Sequence, residues 1–77
     1  MGAKIETGRY RHFKGNFYEV IAVAKNSDTL GEVVVYKALY QTSDFPMGQV
    51  WTRSLDDFVA MVDVDGKEVP RFEYLGY

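Results

Sequence analysis

His12 is the single histidine of the 77-residue chain, and so the one side chain whose ordinary pKa lies near neutrality. Acid–base work by His12 would require a cleft and an orienting partner such as Asp or Glu. Trp51 and Arg53 stand two apart in Val50-Trp51-Thr52-Arg53, a spacing that puts both on one side of an extended strand. A tryptophan offers a large, stiff contact surface, and an arginine beside it can stack or grip a carboxylate in fork geometry. Tyr10, Tyr18, Tyr36 and Tyr40 extend the set, and twelve aromatics in the chain exceed what a small core needs. Three chemistries fit these residues. Aromatic grooves edged by a charge hold peptide segments or small ligands, and aromatics beside the basic groups Arg9, Arg11, Lys14 and Arg53 can stack single-stranded bases. A small enzyme centred on His12 and Arg53 is the third. The plain alternative is that the rings fill the core with their hydroxyls reaching water, His12 is structural, and Arg53 pairs with Asp56 or Asp57.

Other chemistries fail on the residues. Asp63-Val64-Asp65-Gly66 faintly resembles a calcium loop, but aligning Gly66 with the invariant glycine puts Met61 and Phe72 at the first and last ligand positions, and neither binds calcium. A turn at Asp65-Gly66 instead sets Asp63 opposite Glu68, a mildly repulsive pair. Ser27, Ser43 and Ser54 have no nucleophile-elbow setting, and no glycine-rich phosphate loop precedes a helix. Cysteine is absent, which removes thiolate chemistry, disulfides and thiolate metal sites. No cofactor, no metal and no catalytic residue is expected.

These side chains need strands to hold them. Gly31 to Tyr40, GEVVVYKALY, carries three consecutive β-branched valines and is apolar at nearly every position of both parities. Such a run reads as a central strand covered on both faces. Phe17 to Lys25 is similar, with the small residues Ala22 and Ala24 suggesting, together with Ala38, the tight interior of a small barrel. The turns at Lys14-Gly15-Asn16, Asn26 to Thr29 and Asp65-Gly66 separate the runs. Ser54-Leu55-Asp56-Asp57 has the form of a helix N-cap with acidic residues in the first turn. Phe45 and Met47, in the loop from Gln41 to Gln49, are expected either to be exposed or to fold back as a lid. The pattern predicts a mainly β fold: a small SH3-like barrel or roll of about five antiparallel strands near 9–13, 17–25, 30–40, 49–53 and 68–74. One short helix or helical turn lies near 55–60, and Pro70 belongs at an edge or strand start. Val20, Ala22, Val34, Tyr36 and Ala38 are the expected core. An OB-fold is the alternative, but normally takes a longer chain.

The whole chain, 1–77, reads as a single domain, close to the lower size limit for folding on an apolar core alone. Residues 1–7 lack periodicity and are expected to fray. The net charge of −2 argues against indiscriminate nucleic-acid binding, although residues 1–25 carry +3 and the remainder −5. No apolar run approaches the ~20 residues of a membrane helix, and the start MGAKIETGRYRHFKG lacks a signal-peptide core. With no cysteines, the expectation is a cytoplasmic protein without membrane association. The sequence sets no oligomeric state.

Laid out this way, the chain resembles the bacterial domain of unknown function 1653 family. The resemblance is carried by YRHFKGNFYEVIAVAKNSDT (Tyr10 to Thr29), VVVYKALY (Val33 to Tyr40), WTRSLDDF (Trp51 to Phe58) and VPRFEYL (Val69 to Leu75). Ser54 stands where many relatives carry a proline, which bears on the helix cap. The resemblance implies a small SH3-type β-barrel, found alone or attached to other domains, and supplies no activity, substrate or catalytic residue. The expectation is therefore a non-enzymatic module whose ligand-binding residues are Tyr10, His12, Tyr36, Tyr40, Trp51 and Arg53. It would recognise a peptide segment or small ligand, with a nucleic-acid accessory role as the alternative.

Overall fold

The computed structural model describes residues 5–76. Strands β1 (Gly8–His12), β2 (Phe17–Lys25), β3 (Glu32–Ala38) and β4 (Val50–Ser54) lead into the single-turn helix α1 (Leu55–Phe58). Strands β5 (Met61–Val64), β6 (Lys67–Pro70) and β7 (Phe72–Gly76) follow. Five strands form one antiparallel sheet in the order β4-β3-β2-β1-β7, and β5 and β6 form a separate hairpin. The fold is mainly β, as expected, with β3 inside the sheet and β2 at its centre. Neither sheet closes on itself among the described residues, so β4 and β7 are edges.

Local chemistry made the turns. Asp65 and Gly66 both take positive φ, 52° and 83°, the pairing that a type I′ hairpin requires. Asp63 does fall opposite Glu68, and its carboxylate accepts the Gly66 N–H at 3.0 Å. That bond serves the turn. Between β2 and β3 the Asn26 side chain accepts the N–H groups of Asp28 and Thr29 at 2.8 and 3.2 Å, an Asx arrangement that closes the loop locally. Ser54 caps α1 by accepting the Asp57 N–H at 3.3 Å. A helix of one turn has no stability of its own, and α1 is held by burying Leu55 and Phe58.

The core lies between α1 and the face of the sheet that carries Tyr10, Val20, Val34, Tyr36 and Phe72. Val20, Val34, Tyr36 and Ala38 are buried as expected. Ala22 is not. Val20 opposes Tyr36 while Ala22 opposes Val35, so Ile21 is an extra residue in β2 and forms a bulge. One extra residue reverses the alternation, and Ala22 and Ala24 turn to the outer face, exposed. The alanine-lined interior expected of β2 is thus corrected to the valine and aromatic residues of its first half.

Two further expectations change. The closing strand 68–74 is two strands, because the chain changes sheets at Arg71. The Arg71 N–H donates to the Ala60 carbonyl at 3.0 Å, and its carbonyl accepts the Phe13 N–H at 2.9 Å. Pro70 ends β6 opposite Met61, where the missing N–H interrupts the ladder. The fraying expected for 1–7 lies in part outside the described residues, at 1–4. At 5–7 the chain is tied down: Ile5 packs against the core and Glu6 accepts the Tyr10 hydroxyl at 2.7 Å. Thr7 accepts the Tyr74 hydroxyl at 3.3 Å.

Candidate functional site

Alternation along β1 separates the candidates. Tyr10 turns into the core while Arg9 and Arg11 lie exposed on the other side, with Arg9 opposite Glu19 and Arg11 opposite Phe17. Arg9 and Arg11 therefore point away from Tyr10, while Lys14 lies over the Phe13 ring at 5.8 Å. Tyr10 is 5% exposed, its ring meets Phe58 edge-on at 5.3 Å, and its hydroxyl is spent on Glu6. Its place is in the core.

The remaining candidates gather on the core face of the sheet, where it extends beyond the cover of α1. Tyr18 is their hub. Its ring meets Tyr36 at 5.3 Å, Tyr40 at 5.4 Å and Phe72 at 5.6 Å, all near perpendicular, geometry that aromatic pairs favour. The Tyr18 and Tyr40 hydroxyls share a hydrogen bond of 2.5 Å. Burial first, and then that bond, pushes the Tyr18 hydroxyl well above its ordinary pKa, so it stays protonated at physiological pH. Phe72 is the buried floor. His12 stands edge-on to it at 4.9 Å and the Arg53 guanidinium lies 5.7 Å over its ring.

Arg53 and Trp51 do share a face: they oppose Val34 and Tyr36 in β3. Arg53 Nε donates to the Tyr36 hydroxyl at 3.3 Å, and an N–H of its guanidinium reaches the Asp57 carboxylate at 3.2 Å, one turn on. Tyr36 itself is 5% exposed, so its part is to position Arg53. Trp51 is 36% exposed and is covered on one side by Phe45, edge-on at 4.9 Å. The loop residue Phe45 thus touches β4 but remains 45% exposed, and Met47 is exposed as well.

Among the described residues no carboxylate bonds to His12. Its Nδ1 accepts the Lys14 N–H at 3.1 Å, which leaves the proton of the neutral ring on Nε2. Burial first, then the charges of Arg53, Lys14 and Arg71, hold His12 below its ordinary pKa of 6.5. The unfolded chain therefore takes up a proton at higher pH than the folded protein does. This contribution to stability is full above about pH 6.5 and is lost as pH falls through the folded value. Urea midpoints measured near pH 7.5 and 5.5 should fall for the wild type and fall less for His12→Gln. An equal fall in both would remove His12 as the source.

Among the described residues no three His, Asp or Glu side chains come together to hold a metal ion, and no helix is long and apolar enough to cross a membrane. A separate open cleft, of about 480 Å³, lies on the outer side of the sheet, lined by Arg9, Phe17, Leu39, Met47 and Leu75. Its walls offer one cation on otherwise apolar surface, whereas the core-side cluster brings together hydroxyls, an imidazole and a guanidinium.

Phe72 and Phe45 were not among the site residues read from the sequence, and Tyr18 was counted as aromatic without its central place. Phe72 was concealed by the break at Arg71, which sets its side independently of β6. Phe45 follows Thr42, whose hydroxyl accepts the Phe45 N–H at 3.0 Å; that small turn is the one local signal that the loop bends back.

Fold and site together define a small antiparallel β domain with an aromatic, cation-edged face. The chain belongs to the family described as protein of unknown function (DUF1653), whose model matches residues 8–74. It is similar to the crystal structure of a protein of that family from Bordetella bronchiseptica, with 36% identity over 95% of this chain and 90% of that one, and a TM-score of 0.84. A comparison with the curated proteins finds no match.

Proposed function

We propose that this domain is a non-enzymatic binding module of SH3-like build that recognises a short peptide segment or small ligand carrying a carboxylate. The observation that carries this reading is that Tyr18, with Tyr40 against it, lies with His12 and Arg53 around Phe72, while Trp51 stands exposed on the same face. The rings supply flat apolar contact, Arg53 is held pointing across Phe72 by Tyr36 and Asp57, and the Nε2–H of His12 is a second donor. A carboxylate suits two donors of this kind. A bacterial cytoplasmic setting is part of the proposal, supported by the Bordetella relative and the cysteine-free sequence.

Nuclear magnetic resonance titration with a library of short peptides tests it. Binders are expected to end in or contain a carboxylate and to shift the Trp51 indole and the Tyr18 and Tyr40 signals. Trp51→Ala and Tyr40→Ala should each weaken such binding at least about tenfold, the scale of a lost aromatic anchor, with the melting temperature little changed. In the free protein, Trp51 emission should lie to the red and be readily quenched by acrylamide. A blue-shifted, protected indole, or shifts confined to the outer cleft, would overturn the reading. A response to single-stranded RNA alone, falling steeply with salt, would move the function to nucleic acid.

A further inference from the structure

Edge strands are normally blunted by a lysine, a proline, a bulge or a covering loop. Of the two edges of the five-stranded sheet, β7 bears the charged Glu73, whereas Val50-Trp51-Thr52-Arg53-Ser54 contains neither proline nor lysine. Val50 is 49% and Trp51 36% exposed, and the one charge of the strand, Arg53, is turned onto the core face and tied to Asp57.

The direction of its free backbone groups follows from the ladder. The Ala38 N–H donates to Gln49 at 2.9 Å, and the next N–H, that of Leu39, donates to Phe17 at 3.0 Å. Residues from Ala38 onward thus turn alternately toward β4 and toward β2. Carried along the register, Tyr36 and Val34 exchange bonds with Trp51 and Arg53. Val50, Thr52 and Ser54 then direct their N–H and C=O groups away from the sheet. The Val50 carbonyl confirms the direction, since its partner is the side-chain amide of Gln49 at 3.2 Å.

The geometry points to a second copy of this chain as the occupant of that edge, paired antiparallel about Thr52. The strand is complementary to itself in this register and carries the sheet on to ten strands. Thr52 meets Thr52 and Val50 meets Ser54 in hydrogen-bonded pairs, while Trp51 lies opposite Arg53 in the closer, non-bonded pairs on the core face. Each indole then lies beside the stem of the other copy's Arg53, whose guanidinium stays with Tyr36 and Asp57, and no like charges oppose each other. Five residues a side cover less than the standard interface of about 1,600 Å², so the dimer is expected to be weak and concentration-dependent.

Sedimentation equilibrium of the intact chain should show its mass rising from 8.8 kDa toward twice that as concentration approaches millimolar. Amide hydrogen exchange supplies the register: Trp51 and Arg53 should be protected at every concentration, and Thr52 and Ser54 only as the dimer forms. Thr52→Pro removes the central outward N–H and no bond to β3, and should weaken association at least tenfold with an unchanged circular dichroism spectrum. Thr52→Lys sets two ammonium groups against each other and should do the same, which keeps the test decisive if the proline variant does not fold. A monomer at millimolar concentration overturns the proposal, as does a dimer indifferent to Thr52→Lys. Protection of Thr52 that appears only on adding the peptide Val-Trp-Thr-Arg-Ser to a monomeric chain also overturns self-pairing, and assigns the edge to a peptide strand.

Discussion

Phe58→Ala is expected to cost about 3–5 kcal/mol, measured as a fall in urea midpoint or as loss of a cooperative transition. Phe58 is 1% exposed. It stacks on Phe72 with ring centres 4.1 Å apart and planes 4° from parallel, and takes Tyr10 and Tyr36 edge-on at 5.3 and 5.5 Å. Beyond Leu55, α1 has no other buried anchor, so truncation opens a cavity and loosens the helix from the core. At about 0.05–0.15 kcal/mol per residue, a domain of 77 residues has about 4–12 kcal/mol in all, so the loss is a large share of its stability. Phe58→Leu should recover much of the deficit. A cost below 1 kcal/mol for alanine would mean that the sheet face is stable without its cover.

Gly8→Ala is expected to destabilise by about 2–6 kcal/mol, joining backbone strain of order 1–3 to overpacking of similar size. Gly8 is buried, has φ +131°, and a Cβ there would lie 2.9 Å from the Gly76 carbonyl oxygen and 3.1 Å from the Tyr74 ring. The obstruction is backbone, so a side-chain rotation cannot relieve it. Thermal unfolding of the variant checks the expectation, and Gly15→Ala is the control. Gly15 also has positive φ, 106°, but its Cβ would meet nothing within 4 Å, so it should pay for strain alone.

What the sequence disclosed was local. Asp65-Gly66, the Ser54 cap and the i,i+4 pair of Arg53 and Asp57 are each contained within a few residues, and each is present in the structure. The valine run of β3 was legible because β-branched residues of both parities leave few alternatives. The bulge at Ile21 was not, since an extra residue is defined only against the strand opposite, and every side chain from 17 to 25 fits a regular strand equally well. The same limit hid the sorting of the tyrosines. Tyr10 and Tyr36 are as aromatic as Tyr18 and Tyr40, but which ring lies under Phe58 is decided by strand order, and strand order is a property of the whole chain.

Strand order also dictates when this domain can exist. β1 is bonded along one side to β2, its neighbour in sequence, and along the other to β7, the last strand of the fold. Tyr10 faces Tyr74 and His12 faces Phe72 across that seam. Closing it requires nearly the longest loop the chain can form, the kind of contact whose entropy cost comes before its reward and which slows folding. On the ribosome, a nascent chain that has emerged only as far as β6 holds β1 with one side bare and lacks Phe72 from the centre of the aromatic core. β7 must therefore emerge before the sheet can be completed, and until then the hydrophobic strands β2 and β3 depend on their hairpin alone to keep them from pairing elsewhere.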